Sequence, residues 1–406
     1  MTASQGRGRS LNVLQIIGDL NIGGAQEVVR TLVKYMNAMN APAARPVVCS
    51  FKDGPLRRDI EQLGIDVHIL PDRRYSVLAF PWFLGDMMRI WRALTQIVRQ
   101  YDIDVVQTHL LRTLDFLVLL LKYTTAVRAV FWTFHSAQFR LAKTDLAGHT
   151  WLLGPKRFVH HLLYKWASRF VDGFIAVSDQ VGDAITETIR PVPGKVIVIC
   201  NGVDIEQYER PGDPTGIRSE LGLEETARLI ALVGTLKEGK GHPYMIQAMP
   251  AIVARHPSAH ALFIGDGALR EALKSQAAAL HVDAHIHFLG SRRDVPALLA
   301  ASDLFVLPSL WEGLSMALLE ALATGLPVVA SEVSGTVQVI TSEEMGRLTP
   351  PGDVPQLTAA ISQLLSDPQR AQAMGLAGKR RATAAFSAQV QVDEHLSLYH
   401  HSLDEA

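Results

Sequence analysis

The chain has 406 residues, enough for two hydrophobic cores of ordinary domain size. Apolar residues make up 48% of it, and 39 Lys and Arg stand against 40 Asp and Glu, a net charge of −1. That balance excludes a disordered chain, which could not bury enough apolar surface, and a nucleic-acid binder, which would carry a basic excess. The two cysteines, Cys49 and Cys200, each end an apolar run and read as small buried hydrophobes in a reducing compartment, not as a disulfide or a metal site. Residues 1–10 are polar and hold no apolar h-region, so a flexible tail and a cytoplasmic location are expected.

Strands and helices alternate almost throughout, the pattern of parallel sheets covered by helices on both faces. In the first half, strands are expected at Leu11–Ile17, Pro46–Phe51, Val67–Leu70, Asp104–Thr108, Ala129–Phe134, Phe174–Val177 and Val196–Cys200. After the first of them, Gly23 and Gly24 open a helix near Ala25. Paired glycines there either let the backbone approach an anion or merely make a turn. Arg73–Arg92 mixes arginines with Trp82, Phe83 and Trp91, which suits an anionic membrane surface or an ordinary amphipathic helix. Leu110–Tyr123 is the most apolar stretch, but Arg112, Asp115 and Lys122 interrupt it, and it reads as a buried helix. His109 and His135 each follow a strand, where they suit hydrogen bonding to sugar hydroxyls or proton transfer. Zinc would need a third ligand, and none has a recognisable spacing.

Asn201–Gly216, centred on Pro211-Gly212-Asp213-Pro214, is the expected linker. It divides a first domain at 11–205 from a second at 206–385, with a final helix in 386–406. Strands are expected in the second half at Leu229–Val233, Ala259–Ile264, Ile286–Leu289, Leu304–Leu307 and Pro327–Ala330. The carboxyl ends of both sheets are expected to face a central cleft, where open α/β sheets bind ligands.

The loops after those strands carry the chemistry. Gly234 to Gly241 is a near miss to a P-loop, with Gly241 where Ser or Thr would hold magnesium. Lys240, flanked by glycines at a helix entry, is either a diphosphate site or a surface lysine. Gly265-Asp266-Gly267 is a common strand-to-helix turn, and Arg292 and Arg293 flank a base or are solvated. Glu312 and Glu320 stand eight positions apart in a segment, Gly313–Thr324, with apolar residues at helical spacing. On one helix they would lie about 12 Å apart along the axis, matching the two ends of a nucleotide-sugar. A solvated pair on an amphipathic helix is the other reading.

Taken together, these motifs resemble a retaining GT-B glycosyltransferase of the large family 4, over nearly the whole chain. The most specific part is Pro-Ser-Leu-Trp-Glu-Gly-Leu-Ser-Met-Ala-Leu-Leu-Glu from Pro308 to Glu320. Gly23-Gly24, Asp172–Ser178, Asn201–Asp204, Gly234–Gly241, Gly265–Gly267 and Pro350–Asp353 support it. The resemblance implies two Rossmann-like parallel-sheet domains and transfer of a sugar from a UDP- or GDP-sugar to a saccharide or lipid-linked acceptor. It further implies a last helix crossing back onto the first domain. No metal or cofactor is expected, because Lys240 and helix N-termini can stabilise the leaving diphosphate, and Arg73–Arg92 suits peripheral membrane contact.

Site roles follow from the same resemblance. Glu320 would hold the donor ribose. Glu312, with Gly313, Leu314 and Ser315 after it, would hold the sugar or phosphate, and Lys240 would neutralise the leaving diphosphate. Gly234, Thr235 and Gly265 would line the donor, Arg292 would meet the base, and Gly23 and Gly24 would approach the donor phosphate or the acceptor. His109 and His135 would stand beside the anomeric carbon. Two positions depart from the pattern: Thr235 replaces the usual Arg, and Gln338 replaces an acid. A non-hydrolysing sugar-nucleotide epimerase and a silent sugar-nucleotide-binding subunit are the alternatives.

Overall fold

In the computed structural model the described residues are 10–38, 44–71, 82–109, 111, 113–136 and 161–405. The expected tail, apart from Ser10, and the segment Arg73–Phe80 lie outside them. The chain divides into two compact units, one made of Met1–Cys200 with Gln391–Ala406 and the other of Asn201–Val390.

The first unit holds a seven-stranded sheet: β1 Leu11–Ile17, β2 Ala44–Ser50, β3 Val67–Ile69, β4 Val105–His109, β5 Ala129–Phe134, β6 Gly173–Ala176 and β7 Val196–Val198. Its order is β3-β2-β1-β4-β5-β6-β7, and every pairing is parallel. Central strands such as Val-Val-Gln-Thr-His and Ala-Val-Phe-Trp-Thr-Phe are buried end to end, as both faces of a parallel sheet require. Trp132, Phe134 and Phe174 fill one face, with Tyr164 and Phe116 packed edge-on against Trp132. On another face, Tyr399 of the helix Ala388–Asp404 packs with Phe131, Val392 and Leu396.

The second unit holds six parallel strands: β8 Arg228–Val233, β9 Ala259–Ile264, β10 Ile286–Gly290, β11 Leu304–Leu307, β12 Val328–Ser331 and β13 Arg347–Thr349. Their order is β10-β9-β8-β11-β12-β13. Phe263, Met245, Met249, Ile252 and Ile361 lie fully buried between sheet and helices, each contributing about 1.5–3 kcal/mol of transfer free energy. In each sheet the chain reverses its order of strand addition once, at β1/β4 and at β8/β11. Those are the topological switch points at which sheets of this kind take ligands.

Expected strands agree with observed ones to within one or two residues, and β13, only three residues long, has no counterpart in the sequence reading. Two expectations need correction. The segment Asn201–Gly216 is not a bare linker, because Asn201 to Val203 are already tied into the second unit. Asn201 Nδ2 donates to the Leu314 carbonyl at 3.3 Å, and Val203 pairs with Phe386 and Ala388 through its own N–H and C=O. A helix, Ile205–Glu209, follows at once, capped by Asp204. The unit boundary therefore falls after Cys200, not after 205.

The second correction concerns Glu312. The helix begins at Met316, not Gly313, because Ser315 is extended and its hydroxyl accepts from the Leu318 N–H at 3.4 Å. Glu312 stands in the loop before the helix, so an axial rise does not set its distance from Glu320.

Candidate functional site

The second unit gathers four loops at the carboxyl edge of its sheet, and close backbone contact holds them together. After β8, the loop Gly234–Gly241 lies directly on the loop that follows β11. Gly241 has φ +73°, and a Cβ there would stand 1.7 Å from the Pro308 carbonyl oxygen; one on Gly239 would meet the Trp311 ring at 2.2 Å. Only glycine permits both approaches. Hydrogen bonds complete the seam: Leu310 N–H donates to the Gly239 carbonyl at 2.8 Å, Gly234 N–H to Ile264, and Gly265 N–H to Gly290. These glycines thus serve loop-to-loop packing as well as any approach to an anion.

That seam sets a lysine against a carboxylate. Lys240 Nζ lies 2.6 Å from Glu312 Oε1, and the Ser309 hydroxyl donates to the same oxygen at 2.7 Å. The side chains are 21% and 9% exposed, so the ions are largely desolvated and each depends on the other for compensation. A bound phosphate would compete with Glu312 for Lys240. His242, next but one in the chain, is buried against Phe263, and its pKa is pushed down to about 4, by burial first and then by Lys240. It stays neutral where a second cation would otherwise sit.

Glu320 is buried on the helix Met316–Thr324, near its middle. Thr235 and Lys237 are exposed in the loop after β8. Arg292 is placed differently from its expected role at a base. Its guanidinium forks onto Asp294 at 2.7 and 2.6 Å and onto Glu220 at 2.5 and 3.1 Å. Two carboxylates occupy the planar donors that a base would need. Sequence reasoning missed Ser309 and the Asn201 clamp on Leu314, although both stand inside motifs that it quoted.

In the first unit, Gly24 begins the helix after β1, and the preceding turn is braced by Asp19, which accepts from Asn21 N–H and Gln26 Nε2, both at 3.0 Å. His109 closes β4, in register with Ile17 of β1 and Thr133 of β5, and His135 follows β5 by one residue. The imidazoles meet, with Nδ1 of His109 2.9 Å from Nε2 of His135 and the rings stacked. Nε2 of His109 lies 2.8 Å from Gln15 Oε1. Burial, and then His135 and His395, hold His109 well below the usual imidazole range. His135 is lowered to about 4 by burial and by His395. Both rings are neutral near pH 7. Among the described residues, no group of three His, Cys, Asp or Glu is placed to hold a metal ion, and no helix is long and apolar enough to cross a membrane.

Two family models match the chain: Glycosyltransferase Family 4 over residues 22–207 and Glycosyl transferases group 1 over 215–381. A UDP-Gal:alpha-D-GlcNAc-diphosphoundecaprenol alpha-1,3-galactosyltransferase of Escherichia coli is 28% identical over 283 residues, covering 68% of this chain and 70% of that protein. A lipopolysaccharide core biosynthesis mannosyltransferase, LpsB of Rhizobium meliloti, is 28% identical over 242 residues, 58% of this chain and 67% of its own length. Among solved structures, Anabaena HepE in complex with UDP has a TM-score of 0.76 at 22% identity, covering 98% of this chain and all of that one. That likeness speaks for the fold, while the two matched models and the relatives speak for descent. The chain belongs to glycosyltransferase family 4 and has the two Rossmann-like units of the GT-B fold.

Proposed function

We propose that the protein is a hexosyltransferase that moves a sugar from a nucleotide diphosphate sugar to a hydroxyl acceptor with retention of anomeric configuration. The observation that carries this reading is the Lys240–Glu312–Ser309 cluster at the switch point of the second sheet. A diphosphate reaching that edge meets a cation held ready by a carboxylate, and Glu312, once released, is free to accept from sugar hydroxyls. Lys240 and the first amides of the helix Met316–Thr324 supply positive charge for the departing diphosphate, so the reaction needs no metal. Glu320, buried on the same helix, is assigned to the ribose. Gly234, Thr235, Gly265 and Gly313 to Ser315 line the donor, and Gly23 and Gly24 are assigned to the donor phosphate or to the acceptor.

No carboxylate has been assigned as a covalent nucleophile. Departure and attack on one face of the sugar, within an ion pair, is therefore the proposed route. His109 and His135, as neutral rings, hydrogen-bond sugar hydroxyls at the reacting carbon. The relatives support the substrate class: one is named for UDP-galactose and a lipid-diphosphate-linked acceptor, the other for lipopolysaccharide core. An acceptor of that kind accords with peripheral contact at an anionic membrane. The helix Trp82–Gln100 adds support, leaving Trp82, Leu84 and Met88 exposed along with Arg92 and Arg99.

Incubation of the full chain with radiolabelled UDP- and GDP-sugars and with lipid-linked or saccharide acceptors tests the reading. Labelled product in the same anomeric configuration, undiminished by EDTA, is expected. Epimerised nucleotide-sugar without transfer, or donor binding without turnover, would overturn it.

A further inference from the structure

A line of polar side chains runs through the interior of the first unit, in positions that a parallel sheet normally fills with aliphatics. Gln15 in β1, Gln107 in β4 and Thr133 in β5 are buried, as are His395 and Tyr399 of the last helix. Each makes hydrogen bonds to another member, and the line ends at His109 and His135. We propose that Gln15, Gln107, His395 and Tyr399 are positioning residues. They form a one-way chain of hydrogen bonds anchored on the Gln391 carbonyl, which fixes the tautomers of His109 and His135 and leaves Nδ1 of His135 as an acceptor for a substrate hydroxyl.

The direction follows from the anchor. A backbone carbonyl only accepts, so Nδ1 of His395, 2.8 Å from the Gln391 carbonyl oxygen, carries a proton. Burial pushes the His395 pKa down to about 4 against the opposing pull of that bond, so the ring is neutral and Nε2 holds a lone pair. Gln107 must then present its amide nitrogen to His395, at 3.3 Å, and the same nitrogen donates to Thr133 Oγ1 at 2.6 Å. The Gln107 oxygen is left to accept from the Tyr399 hydroxyl. Gln15 must turn its nitrogen toward that pair, 3.4 Å from each oxygen, because its own oxygen there would face two others.

Gln15 Oε1 therefore faces His109 and can only accept, so Nε2 of His109 is protonated. Nδ1 of the neutral ring accepts from Nε2 of His135, and the remaining nitrogen of His135 is unprotonated. One carbonyl on the last helix thus sets the polarity of a ring at the sheet edge.

The inference rests on His109 and His135 serving the proposed transfer, but its main test needs no substrate. Two-bond proton–nitrogen correlations on full-length, 15N-histidine-labelled protein at neutral pH report each tautomer. Expected are Nδ1–H for His395 and Nε2–H for both His109 and His135; an Nδ1–H or mixed His109 overturns the chain. Gln15→Met removes the acceptor that faces Nε2 of His109. It should introduce the second His109 tautomer and lower kcat by roughly three- to ten-fold, the range expected for one hydrogen bond, with donor KM unchanged. A folded Gln15→Met that keeps a single His109 tautomer refutes the proposal. Should that variant not fold, Gln107→Met, which removes the acceptor shared by Gln15 and the Tyr399 hydroxyl and so lets Gln15 turn, provides the same readout with the same outcomes. A wild-type chain with the expected tautomers but no transfer would refute the proposed function and leave the hydrogen-bond chain standing.

Discussion

The two candidate sites solve opposite electrostatic problems. In the second unit, Lys240 and Glu312 are both charged and bound to each other, a pair that an incoming anion could exchange. In the first unit, His109 and His135 are neutral and locked into an extended hydrogen-bonded interior. One site holds charge in reserve, and the other excludes it. An ion pair can trade partners at modest cost, whereas a ring in a polarised chain changes its hydrogen-bonding sense only if its partners reverse too. The second unit is thus suited to charge that appears during reaction, and the first to neutral hydroxyls.

The sharpest way to break the comparison is Lys240→Met. Loss of the only lysine in the cluster should lower transfer roughly 100- to 1,000-fold, the scale of removing one preorganised charge-stabilising donor. Initial rates at saturating acceptor measure it; a loss below ten-fold would mean that Lys240 does not meet the diphosphate. Gly241→Ala tests whether the seam positions that lysine. Its Cβ would be 1.7 Å from the Pro308 carbonyl, at a left-handed φ that itself costs about 1–3 kcal/mol. Reduced unfolding temperature and weakened donor binding are both expected.

A smaller effect, of opposite sign, is expected from Thr235→Arg. Restoring a second cation to the exposed loop should tighten UDP binding by about ten-fold, the lower end for a hydrogen bond to a charged group. Isothermal titration reads it, and unchanged affinity would place position 235 away from the phosphates. The gentlest test is acidification. His109, His135, His242 and His395 all have folded pKa values below the unfolded imidazole value. The unfolded chain therefore binds more protons between pH 6.5 and about 4. Stability is fully present above pH 6.5 and lost as pH falls through that window. Unfolding temperature should fall progressively there. The His395→Gln variant should flatten the slope.

Much of the second unit's site was legible because its residues are close in sequence and of unusual type. Glycines 239 and 241 around Lys240, and Glu312 between Pro308 and Ser315, announce a loop that packs tightly and carries charge. Their partnership was not legible, since 72 residues separate Lys240 from Glu312. The caliper reading of Glu312 and Glu320 failed for a local reason: Ser315 caps the helix, a competing signal inside the same motif. The pairing of Arg292 with Glu220 was not legible either, since the two stand 72 positions apart. Gln15 did leave a trace, as an amide between Leu14 and Ile16.

Alternating apolar runs and turn residues by themselves determined two parallel sheets, their strand limits and the loops that carry chemistry, because burial and backbone hydrogen bonding act over a few residues at a time. Only the tertiary structure decided who meets whom: Lys240 with Glu312, Arg292 with its two carboxylates, and His395 with Gln107 across 288 positions. Charges and hydrogen bonds find their partners in space, and the direction of a hydrogen-bond chain exists only once every donor has met an acceptor.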